Sequence, residues 1–308
     1  MNQISQLGLT NFKSFQNQQM ELRALTVLSG LNNTGKSCVL QSLLLLRQSY
    51  RAGLLLSVGL ALNGELVSIG TGQDALCGEA LEDSIAFELV DEHGNLARWE
   101  FGYAPAADVL SLVSGPSESG IYGTSLFGDR FRYVGPEDSA PLQLVAEIGT
   151  PQLRHPLVES LDLSMQAEAW LAEISPLCDR HSPAWPIVAA VLSLAPGSLL
   201  LLEHPETLLH SSAQVKLGEL FSLAASAGIQ VVLETHSDHL LNGIRLAVHG
   251  GRLAPEDVQL NFLSLNSQRL TEVVSPRIDR NGRIDQYPDG FFDVWENSLD
   301  GLLEPAVR

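Results

Sequence analysis

The chain has 308 residues, 45% of them hydrophobic, and carries 36 acidic against 18 basic side chains for a net charge of −18. A surface that acidic repels a phosphate backbone, so direct DNA binding is disfavoured, while the apolar fraction is that of a globular protein without a disordered tail. Cys38, Cys77 and Cys178 are scattered without C-x-x-C spacing, which argues against a metal cluster or a disulfide framework.

In chain order, the first predicted element is a strand over Gln3 to Leu9, turning at Asn11 to Phe15. A second strand, Leu25 to Leu28, runs into Gly30-Leu-Asn32-Asn33-Thr34-Gly35-Lys36-Ser37, followed by the leucine-rich run Val39 to Leu46. Strand, G-x-x-x-x-G-K-S and helix together are the context of a phosphate-binding P-loop. The glycines let backbone N–H groups turn inward at phosphate oxygens, and the helix starting near Lys36 adds the positive end of its dipole. In this reading Gly30, Asn32, Asn33, Thr34, Gly35, Lys36, Ser37 and Cys38 cradle a nucleotide; Lys36 reaches the β- and γ-phosphates and Ser37 ligates Mg²⁺. The run Leu40 to Leu46 is too short to span a bilayer and no signal peptide is read at the start, so a cytoplasmic protein without membrane contact is expected.

After the helix comes strand-rich sequence from Ala61 to Gly102, with turns at Asn63-Gly64 and Asp91 to Asn95. Residues 104 to 128 are rich in Ser, Gly and Pro and read as an insertion or long loop, and Glu159 to Ile174 has helical spacing. From Trp185 the order is helix (Ile187 to Leu194), apolar strand (Ser198 to Leu202), helix (Ser212 to Ala225), apolar strand (Gln230 to Leu233) and helix (Asp238 to Val248). Two wholly apolar strands separated by a helix are the mark of a parallel sheet covered on both faces. Four leucines ending at Glu203 supply the second acid a P-loop needs at the end of a neighbouring strand, making Glu203 the residue that orients Mg²⁺. The strand ending in Glu234-Thr-His236-Ser-Asp238 offers His236 as a γ-phosphate sensor, with Ser237 or Asp238 as a helix cap.

These residues converge on a resemblance. The chain resembles ABC-type ATPases related to RecF and chromosome-maintenance proteins, and more narrowly the bacterial AAA-labelled ATPases of the overcoming-lysogenisation-defect group. Leu9 to Phe15 matches their start, Gly30 to Ser37 their Walker A loop, Leu199 to His210 their Walker B region and Glu234 to Asp238 their switch-histidine motif. The tail Ile278 to Asp293 resembles a C-terminal domain of unassigned function carried by one branch. The resemblance implies an α/β P-loop NTPase fold, an ABC-type head spanning 1–308 with a mostly parallel core sheet. Within it are expected an antiparallel β subdomain inserted over 55–103, a divergent helical region over 104–184 and a family-specific tail over 265–308. It implies ATP and Mg²⁺ as cofactors, a homodimer or a hetero-complex with an effector as the assembly, and a role in anti-phage defence or DNA maintenance.

The sequence departs from that pattern in three places. His204 stands where a catalytic Glu would polarise the attacking water; a neutral imidazole can accept a proton but fits less well. The signature that closes on a partner subunit's nucleotide should precede Ile187, where Leu177 to Pro186 keeps Ser182 but no glycine. A Leu-His-Leu-His run is reduced to Thr207-Leu-Leu-His210-Ser211. These losses point to slow turnover, a site completed by another protein, or a regulatory subunit that binds without hydrolysing. Asp279 to Asp285 lacks the ligand spacing of a calcium loop and reads as an Asn-Gly turn, and no unassigned acidic cluster suggests a nuclease.

Overall fold

A computed structural model describes residues 3–116, 119–135, 184–288 and 290–291. The chain opens with β1 (Ile4–Phe12) and β2 (Phe15–Glu21), a hairpin closed around Lys13 and Ser14 with Phe12 opposite Phe15. β3 (Leu25–Gly30) leads into the glycine loop, and α1 (Lys36–Arg51) leaves it. Next come β4 (Gly59–Ala61), the single-turn α2 (Gly72–Ala75), β5 (Ser84–Asp91), β6 (Leu96–Gly102), β7 (Val109–Ser114) and β8 (Phe131–Val134). The second half contributes α3 (Trp185–Leu192), β9 (Leu199–Glu203), α4 (Ser211–Ser226), β10 (Gln230–Glu234), α5 (Asp238–His249), β11 (Val258–Leu265) and β12 (Thr271–Val274).

The strands form two six-stranded sheets. The core sheet has the order β12-β11-β3-β10-β9-β8; every neighbouring pair is parallel except β12, which closes one edge antiparallel. The other sheet, β2-β1-β5-β6-β7-β4, is antiparallel throughout. This second sheet is broader than the sequence suggests. It takes β1 and β2 from before the P-loop and β7 from within the Ser/Gly/Pro-rich stretch, because strand pairing is set by long-range register that local composition does not reveal.

Alternation along the core strands shows why both halves of the chain must meet. Leu199 and Leu201 of β9 face α1 and the antiparallel sheet, whereas Leu200 and Leu202 face α3, α4 and α5. In the same way β10 sends Val232 one way and Val231 and Leu233 the other. A strand buried on both faces has to be apolar throughout. Helix α1 lies between the two sheets, so its leucines at 40, 43, 44, 45 and 46 are all inaccessible to solvent, contributing ~1.5–3 kcal/mol apiece on burial. That packing fixes the start of α1, and with it the loop, against the tips of the core strands.

The Asn281–Gly282 turn is present, with Gly282 at φ 72° and Ile278 bridged to Ile284. The expected helix at Glu159 to Ile174, residues 177–183 of the signature segment with Cys178 and Ser182, and the tail beyond 291 lie outside the described residues. Among the described residues no helix is long and apolar enough to cross a membrane.

Candidate nucleotide site

The loop between β3 and α1 depends on left-handed backbone: φ is 141° at Gly30, 63° at Asn33 and 99° at Gly35. At Gly35, the N-cap of α1, an added Cβ would lie 2.8 Å from Thr271 Oγ1, 2.9 Å from Ser14 Oγ and 3.0 Å from the Phe15 ring. Only glycine fits there. The loop is braced from behind by Thr271, whose hydroxyl hydrogen-bonds the Ser14 hydroxyl (2.6 Å) and the Thr34 carbonyl (2.8 Å). Thr34 in turn donates to the Leu31 carbonyl at 2.8 Å. No side chain caps the first turn of α1, so its N–H groups and the positive end of the helix dipole face the cleft, the arrangement that favours an anion.

Strand order decides which acid meets the loop. β10, not β9, lies beside β3, with Glu234 level with Leu28 on one side and Glu203 on the other. β9 is therefore two strand spacings from β3, roughly 9–10 Å. Accordingly the Ser37 hydroxyl donates to Glu234 Oε1 at 3.0 Å, and Lys36 Nζ sits 4.0 Å from the same oxygen while donating to the Leu31 carbonyl at 2.7 Å. Glu203 accepts a 3.0 Å hydrogen bond from the Tyr133 hydroxyl of β8. Glu234 is thus the acid nearest the loop, because β10 lies between β3 and β9 and sets Glu203 one strand further away.

His204 sits at the hub of the site. It has φ 46°, its N–H donates to the Glu234 carbonyl at 3.0 Å, and its ring stacks on His236 with centroids 5.0 Å apart and planes 10° from parallel. Nδ1 lies 3.6 Å from Glu206 Oε1 and Nε2 lies 3.4 Å from Glu234 Oε1. Both ring nitrogens are engaged by carboxylates, and bonds to Glu206 and Glu234 raise the His204 pKa to about 10. Two flanking carboxylates favour the protonated imidazole, which weighs against a proton acceptor at this position. Glu206 also accepts the His236 N–H at 2.9 Å. Burial works to raise the Glu206 pKa, but the bonds from His204 and His236 prevail and lower it.

The surrounding charges follow from the same geometry. Burial lowers the Lys36 pKa against the pull of Glu234, and burial raises that of Glu203. Desolvation, reinforced by Lys36 and His204, lowers the His236 pKa. Burial pushes the Cys38 thiol up to about 11, so it is not a nucleophile at neutral pH. Ser237, and not Asp238, caps α5, its Oγ accepting the Leu240 N–H at 3.0 Å.

An open cleft of about 820 Å³ brings together Asn32 through Cys38, His204 and His236, all expected from the sequence. Gly30 lies at its edge and lines an adjoining cavity of about 440 Å³. Glu234, Lys13 and Arg269 also line the main cleft and were not singled out as site residues in the sequence. Glu234 carried a usable signal, an acid closing an apolar strand, the same one that marked Glu203. Lys13 and Arg269 carried none, since they reach the cleft through the β1–β2 and β11–β12 turns, whose positions depend on the fold.

Three families match parts of the chain. Residues 3–92 match the family described as "AAA ATPase domain", and residues 184–242 match "AAA domain, putative AbiEii toxin, Type IV TA system". Residues 253–302 match "Protein of unknown function (DUF3696)". No curated protein matches the sequence. Among solved structures, the SMC head domain from Thermotoga maritima aligns over 89% of this chain and 98% of its own, with TM-score 0.50 and 13% identity. The SMC head bound to the C-winged helix domain of ScpA aligns over 90% and 98%, with TM-score 0.50 and 12% identity. An Smc head with an extended coiled coil, bound to the C-terminal domain of ScpA derived from Pyrococcus furiosus, aligns over 99% and 100% at TM-score 0.50 and 12% identity. The chain has an α/β P-loop fold similar to that of SMC heads, and two of the three matched segments that line its cleft match AAA ATPase-domain families.

Proposed function

We propose that the chain binds ATP with Mg²⁺ in the cleft and uses the nucleotide to control dimerisation or assembly with an effector partner. The observation that carries this is the uncapped first turn of α1, with Lys36 and Ser37 poised at Glu234. The triphosphate would lie across Asn32 to Ser37, drawing Lys36 from the Leu31 carbonyl. Ser37 and Glu203 would hold Mg²⁺ and its waters, with Glu234 on the near side. The donor set fits a hard cation: the Ser37 hydroxyl, already bonded to Glu234 Oε1, and the Glu203 and Glu234 carboxylates offer oxygen alone. When bound, Mg²⁺ would neutralise charge developing on the transferred phosphoryl group. His236 would contact the γ-phosphate and Lys13 and Arg269 would add positive potential at the cleft walls. Our reading puts this activity in bacterial anti-phage defence or DNA maintenance, in the cytoplasm, a role that the resemblance of the sequence motifs supports.

A second reading, a non-hydrolysing regulatory subunit folded around nucleotide, is favoured by His204. With both ring nitrogens paired to carboxylates it offers no base for the attacking water. Phosphate release from Mg·ATP, measured with light scattering for assembly, separates the two. Turnover lost in Lys36→Ala supports the ATPase; ATP-dependent assembly without turnover supports the regulatory subunit. Neither turnover nor any nucleotide effect on assembly would remove both.

A further inference from the structure

The His204–Glu234–His236 cluster holds three different donor groups whose ligand atoms all lie within 4.8 Å of one another. We propose that these three residues form a binding site for a borderline divalent transition-metal ion, of the Zn²⁺, Co²⁺ or Mn²⁺ kind, distinct from the nucleotide's Mg²⁺. Two imidazoles and a carboxylate suit such ions, whereas Mg²⁺ takes oxygen donors and dehydrates reluctantly.

Four observations support the assignment. The Glu234 side chain is only 2% exposed, yet its Oε2 has no hydrogen-bond partner, a costly state for a carboxylate unless a cation completes it. His204 turns Nε2 toward Glu234 while Nδ1 faces Glu206, so Glu206 stands where the carboxylate behind a metal-bound histidine stands. Glu206 and Glu234 both act on Lys36, and Glu203 acts on Glu234 in turn, so three carboxylates share this corner of the cleft with Lys36 and His204. Finally, His236 is exposed at the cleft and stacked on His204, so its ring can turn inward without opening the core.

Metal–nitrogen distances of ~2.0–2.1 Å put tetrahedral donor atoms ~3.3 Å apart, so the widest pair must close by roughly 1.5 Å. A rotation of the exposed His236 ring covers that distance. Three protein ligands leave a further position facing the cleft, where water or a nucleotide oxygen enters. A cation there beside Mg²⁺ would resemble the paired metals, ~3.5–4 Å apart, of other phosphoryl-transfer sites. That pairing rests on the nucleotide reading above; metal binding by the protein alone does not.

The experiment is a Co²⁺ titration of the full, chelator-treated chain without nucleotide, in excess Mg²⁺, followed by visible absorption, with fluorescent-ATP binding measured on the same preparation. The expected result is one Co²⁺ per chain with nitrogen-ligand bands that Zn²⁺ bleaches. The bands should be lost in His236→Ala and in His204→Asn, with the fold of each checked by circular dichroism. Glu206→Gln should weaken Co²⁺ by about 10–100-fold while preserving the bands. Absence of stoichiometric Co²⁺, or bands unchanged in both histidine variants, overturns the proposal. ATP binding without Co²⁺ sinks the metal site alone; Co²⁺ without ATP binding keeps it and removes the nucleotide reading.

Discussion

Ser37 donates its hydroxyl to Glu234 across 3.0 Å, joining the first turn of the P-loop helix to a strand tip 197 residues later. The same oxygen of Glu234 faces Lys36 and His204, so a single buried carboxylate ties together the loop and both histidine-bearing strand ends. Removing it should leave two cationic groups without their shared acceptor. We predict that Glu234→Ala destabilises the fold by about 3 kcal/mol, the lower end for breaking a buried pair, because Lys36 keeps the Leu31 carbonyl. Urea denaturation reads this; a loss under about 1 kcal/mol would show that the carboxylate is not the hub.

His204 provides a pH test. Its folded pKa stands near 10 against an ordinary 6.5, so its contribution to stability is complete below about 6.5 and fades as pH rises toward 10. Thermal melting across that range should show a decline that Glu206→Gln makes smaller and brings to an end at lower pH, and ¹H–¹⁵N histidine spectra should show His204 still protonated at pH 8. A His204 titrating near its ordinary value would contradict the bridging geometry.

Gly35 tests the shape of the loop. At φ 99°, with Thr271, Ser14 and Phe15 within 3.0 Å of any added Cβ, Gly35→Ala should cost about 1–3 kcal/mol and disturb the α1 first turn. Nucleotide affinity should fall with it. Unchanged stability and ATP affinity would mean that the loop has room the structure does not show.

Lys13 and Arg269 flank the cleft on turns from opposite ends of the chain. Each substituted by Ala should weaken ATP binding by about tenfold or less, with the loss shrinking in high salt, as expected for partly solvated charges. Salt-independent losses would instead indicate direct, buried contacts.

Much of this was legible in the sequence, and the reasons differ by element. The P-loop could be read because its glycines, lysine and serine act locally, and β9 and β10 because strands buried on both faces must be apolar at every position. The partner of Ser37 was not legible. Leu199 to Glu203 and Gln230 to Glu234 look alike as apolar runs ending in Glu, and only the order β3-β10-β9 tells which acid stands next to the loop. The antiparallel sheet was underread for a similar reason: β1 pairs with β5 across the whole P-loop helix. His204 looked like a weakened base because a sequence shows the residue type and not the two carboxylates that hold its ring.

The central claim is that the loop from Gly30 to Ser37 binds a nucleoside triphosphate. Isothermal titration of the purified chain with Mg·ATP, beside Lys36→Ala, tests it most directly. The account predicts one ATP per chain for the native protein and at least about a hundredfold weaker binding in the variant, roughly 2.7 kcal/mol. Native protein that takes up no ATP, or a variant that binds as tightly as the native chain, would contradict it.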